Sequence, residues 1–280
     1  MVRHSRYSFV LAALLAVALQ MVSTLTAAAA PEPAKAPGAV ETTKVPPPAP
    51  AQGYDISYPQ CGKTLPNKPA FGLVGVNGGL AYSGNPCLAS EYAWALTSSS
   101  STQPHVSFYS NTGNPGPDAS THWPARGTAT PQPCDGSWSA ACAYDYGWYA
   151  AQDSLTRANS VAGPAAAVAA PWWLDVEIAN SWSTDTATNS ADLQGAIAFL
   201  KSVGVNSVGI YAASSHWATI VGATTPNSPQ NDPFRALPNW LPGARSAKEA
   251  TQRCATTLTG GPTRLTQYIS GGFDVDYACT

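Results

Sequence analysis

Charge is scarce in this 280-residue chain: 11% of its residues are Asp, Glu, Lys or Arg, where ordinary soluble domains carry about 25%. Sixteen acids and fourteen bases nearly cancel, leaving a formal net charge of -2. No basic excess is present to neutralise phosphates, which excludes a nucleic-acid binder and a polybasic membrane-surface module. The six cysteines contain no CxxC pair, so neither zinc binding nor thiol redox chemistry is expected. Beyond the first thirty residues only His105, His122 and His216 remain, without HExxH or two-histidine spacing, and no metal site is expected. His105 in a strand and His216 in a helix read as satisfied structural histidines. A GxSxG elbow is missing, and Gly75-Val76-Asn77-Gly78-Gly79 fits neither dinucleotide nor P-loop spacing, so no cofactor is expected. No internal repeat is visible.

What is plentiful is equally informative. The chain has 25 prolines and 23 glycines, with nine tryptophans and twelve tyrosines. A disordered polymer has few aromatics, so a folded domain is indicated. Its polar contacts fall to Ser, Thr, Asn and aromatic groups more than to charge.

Residues 1–30 read as a signal peptide. Arg3, His4 and Arg6 form a basic start, Phe9–Val22 an apolar run, and Ala27–Ala30 a small-residue cleavage site. The apolar run is shorter than the ~20 residues of a membrane span, and no later stretch is long and apolar enough for stable membrane insertion. A secreted, extracellular protein is expected. Residues 31–52 hold seven prolines and no aromatic. They read as an extended Pro/Ala-rich linker reaching roughly 60 Å at ~3.1 Å per residue, which would permit association with a cell surface. Residues 53–280 form the globular part.

In an oxidising compartment an even cysteine count favours disulfides. Cys61, Cys87, Cys134, Cys142, Cys254 and Cys279 allow fifteen pairings. Neighbours paired in order are expected, because Cys134 and Cys142 flank one short turn and Cys279 stands next to the last residue.

Short β-rich runs alternate with helical patterns from residue 53 onward. The runs are Gly53–Tyr58, Phe71–Val76, His105–Tyr109, Trp172–Val176, Ser207–Ala212, Asn239–Leu241, Leu265–Ile269 and Phe273–Tyr277. Several are apolar in succession, as strands buried on both faces require. Leu88–Thr97, Ala143–Asn159 and Asp192–Val203 read as helices, the last with Leu193, Ile197 and Leu200 at helical spacing and Asn189 or Ser190 as its cap. Strand–helix alternation implies a parallel α/β architecture, and eight strands, some with short or missing helices, favour a TIM-barrel-like (β/α) barrel. The Gly-, Pro- and Ser-rich stretch Asn111–Cys134, with Trp123 and Trp138 nearby, reads as an ordered loop over one barrel end.

The strongest local signal is Trp172-Trp173-Leu174-Asp175-Val176-Glu177. Period-two geometry places Asp175 and Glu177 on one face, and the C-terminal end of a barrel strand looks into the cleft where barrel enzymes act. Two close carboxylates raise each other's proton affinity, so one can stay protonated as a general acid. An Asp-x-Glu is common as a bare pattern. Here, however, Asp55 ends the first strand, while Asp274 and Asp276 share a face of the last. A closed barrel makes those two strands neighbours, so the acids converge at one mouth. Trp173, Trp182, Trp217 and Trp240 lie near strand ends, where a flat ring suits a pyranose face.

The order GYDIS, SFYSN, WWLDVE, VGIYA, LTQYIS and FDVDYA over residues 53–280 resembles the pattern of glycoside hydrolase family 25, the lysozyme-like muramidases, and that of related glycoside-hydrolase-like barrels exported by actinobacteria. The resemblance implies an incomplete (β/α) barrel that cleaves the β-1,4 bond after N-acetylmuramic acid in peptidoglycan. It implies Glu177 as catalytic acid, Asp175 as its partner, and Asp55 and Asp274 as flanking aspartates. Tyr109, Tyr211, Gln267 and Asp276 match residues lining the cleft, and Trp173 and Trp240 are the candidate sugar platforms. A monomer acting on cell-wall glycan is expected. Three departures stand out: VGVNGG in the second strand, Thr266 before Gln-Tyr, and the cysteine-bearing loop of residues 111–142. They leave the alternative of a non-catalytic cell-wall or carbohydrate-binding protein on a degenerate barrel.

Overall fold

The strand runs owe their burial to side chains that are apolar on both faces. In the computed structural model, which describes residues 52–127, 129 and 131–279, they form β1 (Gln52–Ile56), β2 (Gly72–Gly75), β3 (Val106–Asn111), β4 (Trp172–Asp175), β5 (Val208–Tyr211), β6 (Asn239–Ala244), β7 (Thr263–Ser270) and β8 (Phe273–Ala278). These close into one barrel in sequence order. The expected signal peptide and the linker up to residue 51 lie outside the described residues; Gln52, assigned above to the linker, opens β1.

Strands β1 to β7 run parallel, as the α/β reading implied, and β8 is antiparallel to both β7 and β1. The cause is local. Gly271 and Gly272 join β7 to β8 with φ of 62° and 80°, the two positive values of a type I′ hairpin turn. Parallel neighbours need a long crossover, which a two-residue turn cannot supply.

Around the barrel stand α1 (Leu88–Ala95), α2 (Ala140–Ala162), α3 (Pro164–Ala169), α4 (Thr186–Ser202), α5 (Ser214–Val221) and α6 (Ala247–Arg253). The short helices α3 and α6 escaped the sequence reading, while α5 is the helix expected around His216. The cap of α4 is Asp185, whose side chain accepts from Ala187 N at 2.9 Å, and not Asn189 or Ser190. Asn189 is buried a turn inside the helix, where its amide donates to Ser183 O and Ile220 O. Among the described residues, no helix is long and apolar enough to cross a membrane.

Alternation along the strands creates two cores. Phe108, Trp172, Leu174 and Ile210 face outward and pack with Leu193, Ile197 and Leu200 of α4. Each large side chain so buried contributes about 1.5–3 kcal/mol. Phe71, Leu73, Tyr109, Trp173, Trp240 and Leu265 point inward and plug the barrel. Gly209 makes room for that plug: a Cβ there would stand 2.3 Å from the Trp173 ring.

The long loop after β3 is ordered over its described residues. Fully buried Asn114 donates to Thr188 and Asn189 of α4 at 3.1 and 2.9 Å, and accepts from Trp138 Nε1 at 3.0 Å. Trp123 packs on Tyr146 of α2, with ring centroids 5.3 Å apart. Three disulfides join the cysteines in sequence order, Cys61–Cys87, Cys134–Cys142 and Cys254–Cys279. The middle one fastens this loop to α2.

Candidate active site

All the inward residues of the parallel strands share one direction, so their C-terminal ends surround a single mouth. A cavity of about 250 Å³ opens there, lined by Asp55, Asp175, Glu177 and Asp274 together with Tyr58, Tyr109, Asn111 and Asn180. The convergence anticipated for the four acids is thus realised. Asp55 and Asp274 are paired across β1 and β8, and Asp175 ends β4 beside Asn111 of β3.

The floor of this cavity is aromatic. Trp240 touches Tyr109, Trp173 and Tyr211, with ring centroids 5.8, 5.9 and 4.3 Å away. Trp173 and Trp240 are only 3% and 1% exposed, so neither can be a sugar platform. They sit one inward layer below the acids, where the barrel needs bulk. Trp217 is buried as well, with Nε1 on Asn231, and Trp182 is spent on Glu177 O at 2.8 Å. The exposed ring at the mouth is Tyr58, 45% exposed, which follows β1 and carries no periodic signal.

Each acid is held differently. Asp175 is buried; Asn111 Nδ2 donates to its Oδ2 at 2.5 Å, while Oδ1 is buried without a hydrogen bond. Asn111 is in turn clamped by Asn77 of the unusual VGVNGG segment, which donates to Asn111 O at 3.0 Å and accepts from Asn111 N at 3.2 Å. That departure therefore serves the site. Asp55 Oδ2 accepts from Gln267 Nε2 at 2.8 Å, and Tyr211 donates to Gln267 Oε1 at 3.0 Å. Gln267 and Tyr211 act as braces outside the cavity lining. Asp276 lies fully buried beneath the mouth, accepting from Trp240 Nε1 at 2.7 Å, so it supports the floor and does not line the cleft. Burial, then the neighbouring Asp55, raises the proton affinity of Asp276 well above the carboxylate range.

Low-dielectric surroundings disfavour ionisation, and the cluster shows it. Burial, then the neighbouring Asp274, pushes Asp55 up to about 8. Burial, then Glu177 and Asp55, raises Asp175 well above the carboxylate range. Burial of Asp274 raises it too. Glu177, like Asp274, is only partly buried, with 34% of its side chain exposed. Burial raises it, Asp274 adds to the rise, and His216 opposes it. His216, read above as a satisfied structural residue, instead has its Nδ1 3.9 Å from Glu177 Oε1 and without a hydrogen-bond partner. It comes from the first turn of α5, too far along the chain for any local pattern to reveal. Elsewhere among the described residues, one group with metal-ligand spacing occurs, Cys61, Cys87 and Glu91. Its two sulfurs are joined in a disulfide and cannot act as thiolates.

Known proteins of the same shape and local sequence now have a place. Residues 153–232, spanning β4, β5 and α5, match the family model described as Lysozyme-like protein 1. A probable GH family 25 lysozyme 4 from Dictyostelium discoideum is 41% identical over 56 residues, 20% of this chain and 25% of that protein's length. A muramidase from Trichobolus zukalii superposes with a TM-score of 0.50 at 14% identity, covering 81% of this chain and 93% of that one. The spore cortex lytic enzyme of Clostridium perfringens gives 0.53 at 10% identity, covering 83% and 68%. The likeness in shape carries the barrel, and the family-model match covers the segment bearing Asp175, Glu177 and His216. The chain is therefore similar to lysozyme-like proteins over residues 153–232 and to a glycoside hydrolase family 25 lysozyme over 56 residues, and it shares its barrel fold with the muramidase and the lytic enzyme.

Proposed function

We propose that the protein is a secreted muramidase-type glycoside hydrolase that cleaves the glycan of peptidoglycan or a related cell wall, acting as a monomer. The carrying observation is the set of four carboxyls around one cavity, of which Asp55 and Asp175 are buried while Glu177 and Asp274 are partly open to solvent. Glu177, its proton retained by partial burial, protonates the glycosidic oxygen as the bond to it breaks. Asp175, oriented by Asn111, stabilises the positive charge growing at the anomeric carbon or positions the acetamido group for internal attack by its carbonyl oxygen. Asp55 and Asp274 complete a wall that favours developing positive charge. Three disulfides support an oxidising compartment, consistent with export.

Purified protein incubated with peptidoglycan should release new reducing ends, and Glu177→Gln should lower that rate by about 10²–10⁴ with an unchanged circular dichroism spectrum. Full activity in the Gln variant overturns the assignment. Sedimentation with wall material and no reducing ends from the wild type would instead establish the non-catalytic binding protein.

A further inference from the structure

A second cleft of about 140 Å³ adjoins the acidic cavity and is built largely from the segments that depart from the family pattern. The two share walls. Gly79, Asn111 and Asn180 line the first, while Leu80, Thr112 and again Asn180 line the second. The far side is Gly113, Ala119 and Tyr146, from the disulfide-fastened loop and α2. No charged side chain lines it. Leu80 is 57% exposed, an apolar surface left open beside the cleft. Most tellingly, Asn180 Nδ2 is buried at the junction without any hydrogen-bond partner, and leaving such a donor unmade costs about 1–3 kcal/mol.

We propose that this cleft is a second sugar subsite, taking a neutral pyranose of the same glycan strand, with Asn180 donating to a hydroxyl or acetamido oxygen of the ring. The proposal rests on the glycan reading above. An uncharged lining suits a neutral ring, since an ionic peptide branch would be desolvated there without a counter-charge. Leu80 and Tyr146 offer apolar contact to a ring face while the amide fixes its orientation. The volume is that of a single ring, close to the ~150 Å³ cavity known to hold benzene. Continuity along residues 79–80, 111–112 and 180 makes the two clefts one track, so a longer strand fills both.

The test is binding, which separates it from turnover. In the Glu177→Gln background, the neutral tetrasaccharide and hexasaccharide of β-1,4-linked N-acetylglucosamine are titrated by calorimetry. The longer probe should bind about tenfold more tightly. Ala119→Trp, a plug placed at an exposed position, and Leu80→Asp, at a residue that lines the second cleft and not the first, should each abolish that advantage while leaving tetrasaccharide affinity unchanged. Equal affinity for both lengths, no binding of the hexasaccharide, or an advantage that survives both variants overturns the subsite. So does displacement of the hexasaccharide by free wall peptide with no sugar attached. Length-dependent binding without release of reducing ends from walls by the wild type would overturn the hydrolase reading and leave the subsite standing.

Discussion

Nδ1 of His216 lies 3.9 Å from Oε1 of Glu177, which puts a titratable cation partner against the group assigned to donate the proton. Asp274 and Asp175 face the same carboxylate from β8 and β4. A protonated imidazole favours ionised Glu177 and thereby lowers its proton affinity. In His216→Ala that pull is gone, so Glu177 keeps its proton to higher pH. The alkaline limb of the kcat profile on wall substrate should move upward, because that limb reports loss of the general acid's proton. An alkaline limb that stays in place, or moves down, would refute the coupling.

Asn111 governs Asp175 through the single donor placed on Oδ2. Hydrogen bonds to charged groups are worth about 1.5–3 kcal/mol, so Asn111→Ala should lower kcat by about 10- to 100-fold. KM should change little, since Asn111 positions a catalytic group more than it grips a sugar. Steady-state kinetics on soluble wall fragments decide it; a rise in KM with unchanged kcat would make Asn111 a substrate contact only.

Acid at rest in a nonpolar interior also sets the stability profile. Asp55, Asp175, Asp192 and Asp276 all have raised folded-state proton affinities, with burial the main cause in each. The folded protein then binds more protons than the unfolded chain once pH exceeds the ordinary carboxylate range. Stability is therefore greatest near or below that range and is lost as pH rises toward the folded-state values; for Asp55 the window runs up to about 8. The melting temperature should fall between pH 5 and pH 8 by at least about 2 °C, the shift ~1 kcal/mol gives in a domain of this size. Asp192 lies between α2 and α4, away from the cavity, with Oδ1 buried and unbonded. Asp192→Asn should flatten the slope without altering turnover. A melting temperature that rises from pH 5 to pH 8 contradicts the scheme.

Local chemistry made much of this legible beforehand. Strand runs such as WWLD and VGIY revealed the barrel because both faces had to be apolar, and barrel closure alone brought Asp55 to Asp274. Depth was the hidden coordinate. Trp173 and Asp175 share an inward face, yet one layer along the strand separates floor from mouth, and alternation carries no information about height. The tryptophans were accordingly misplaced as platforms. His216 eluded the reading because its nearness to Glu177 depends on how α5 leaves β5, a tertiary matter. The reversal of β8, by contrast, was written in Gly271-Gly272 and could have been read from that dipeptide.

That reversal also decides where the chain enters and leaves. Gln52 begins β1 opposite Tyr277 of β8, so the first and last described strands meet at the end of the barrel remote from the cavity. Material fused before Gln52, or the protein grafted to a support through its C-terminal end, would be attached at the back. The mouth then faces outward, free to meet an insoluble polymer too large to diffuse to it.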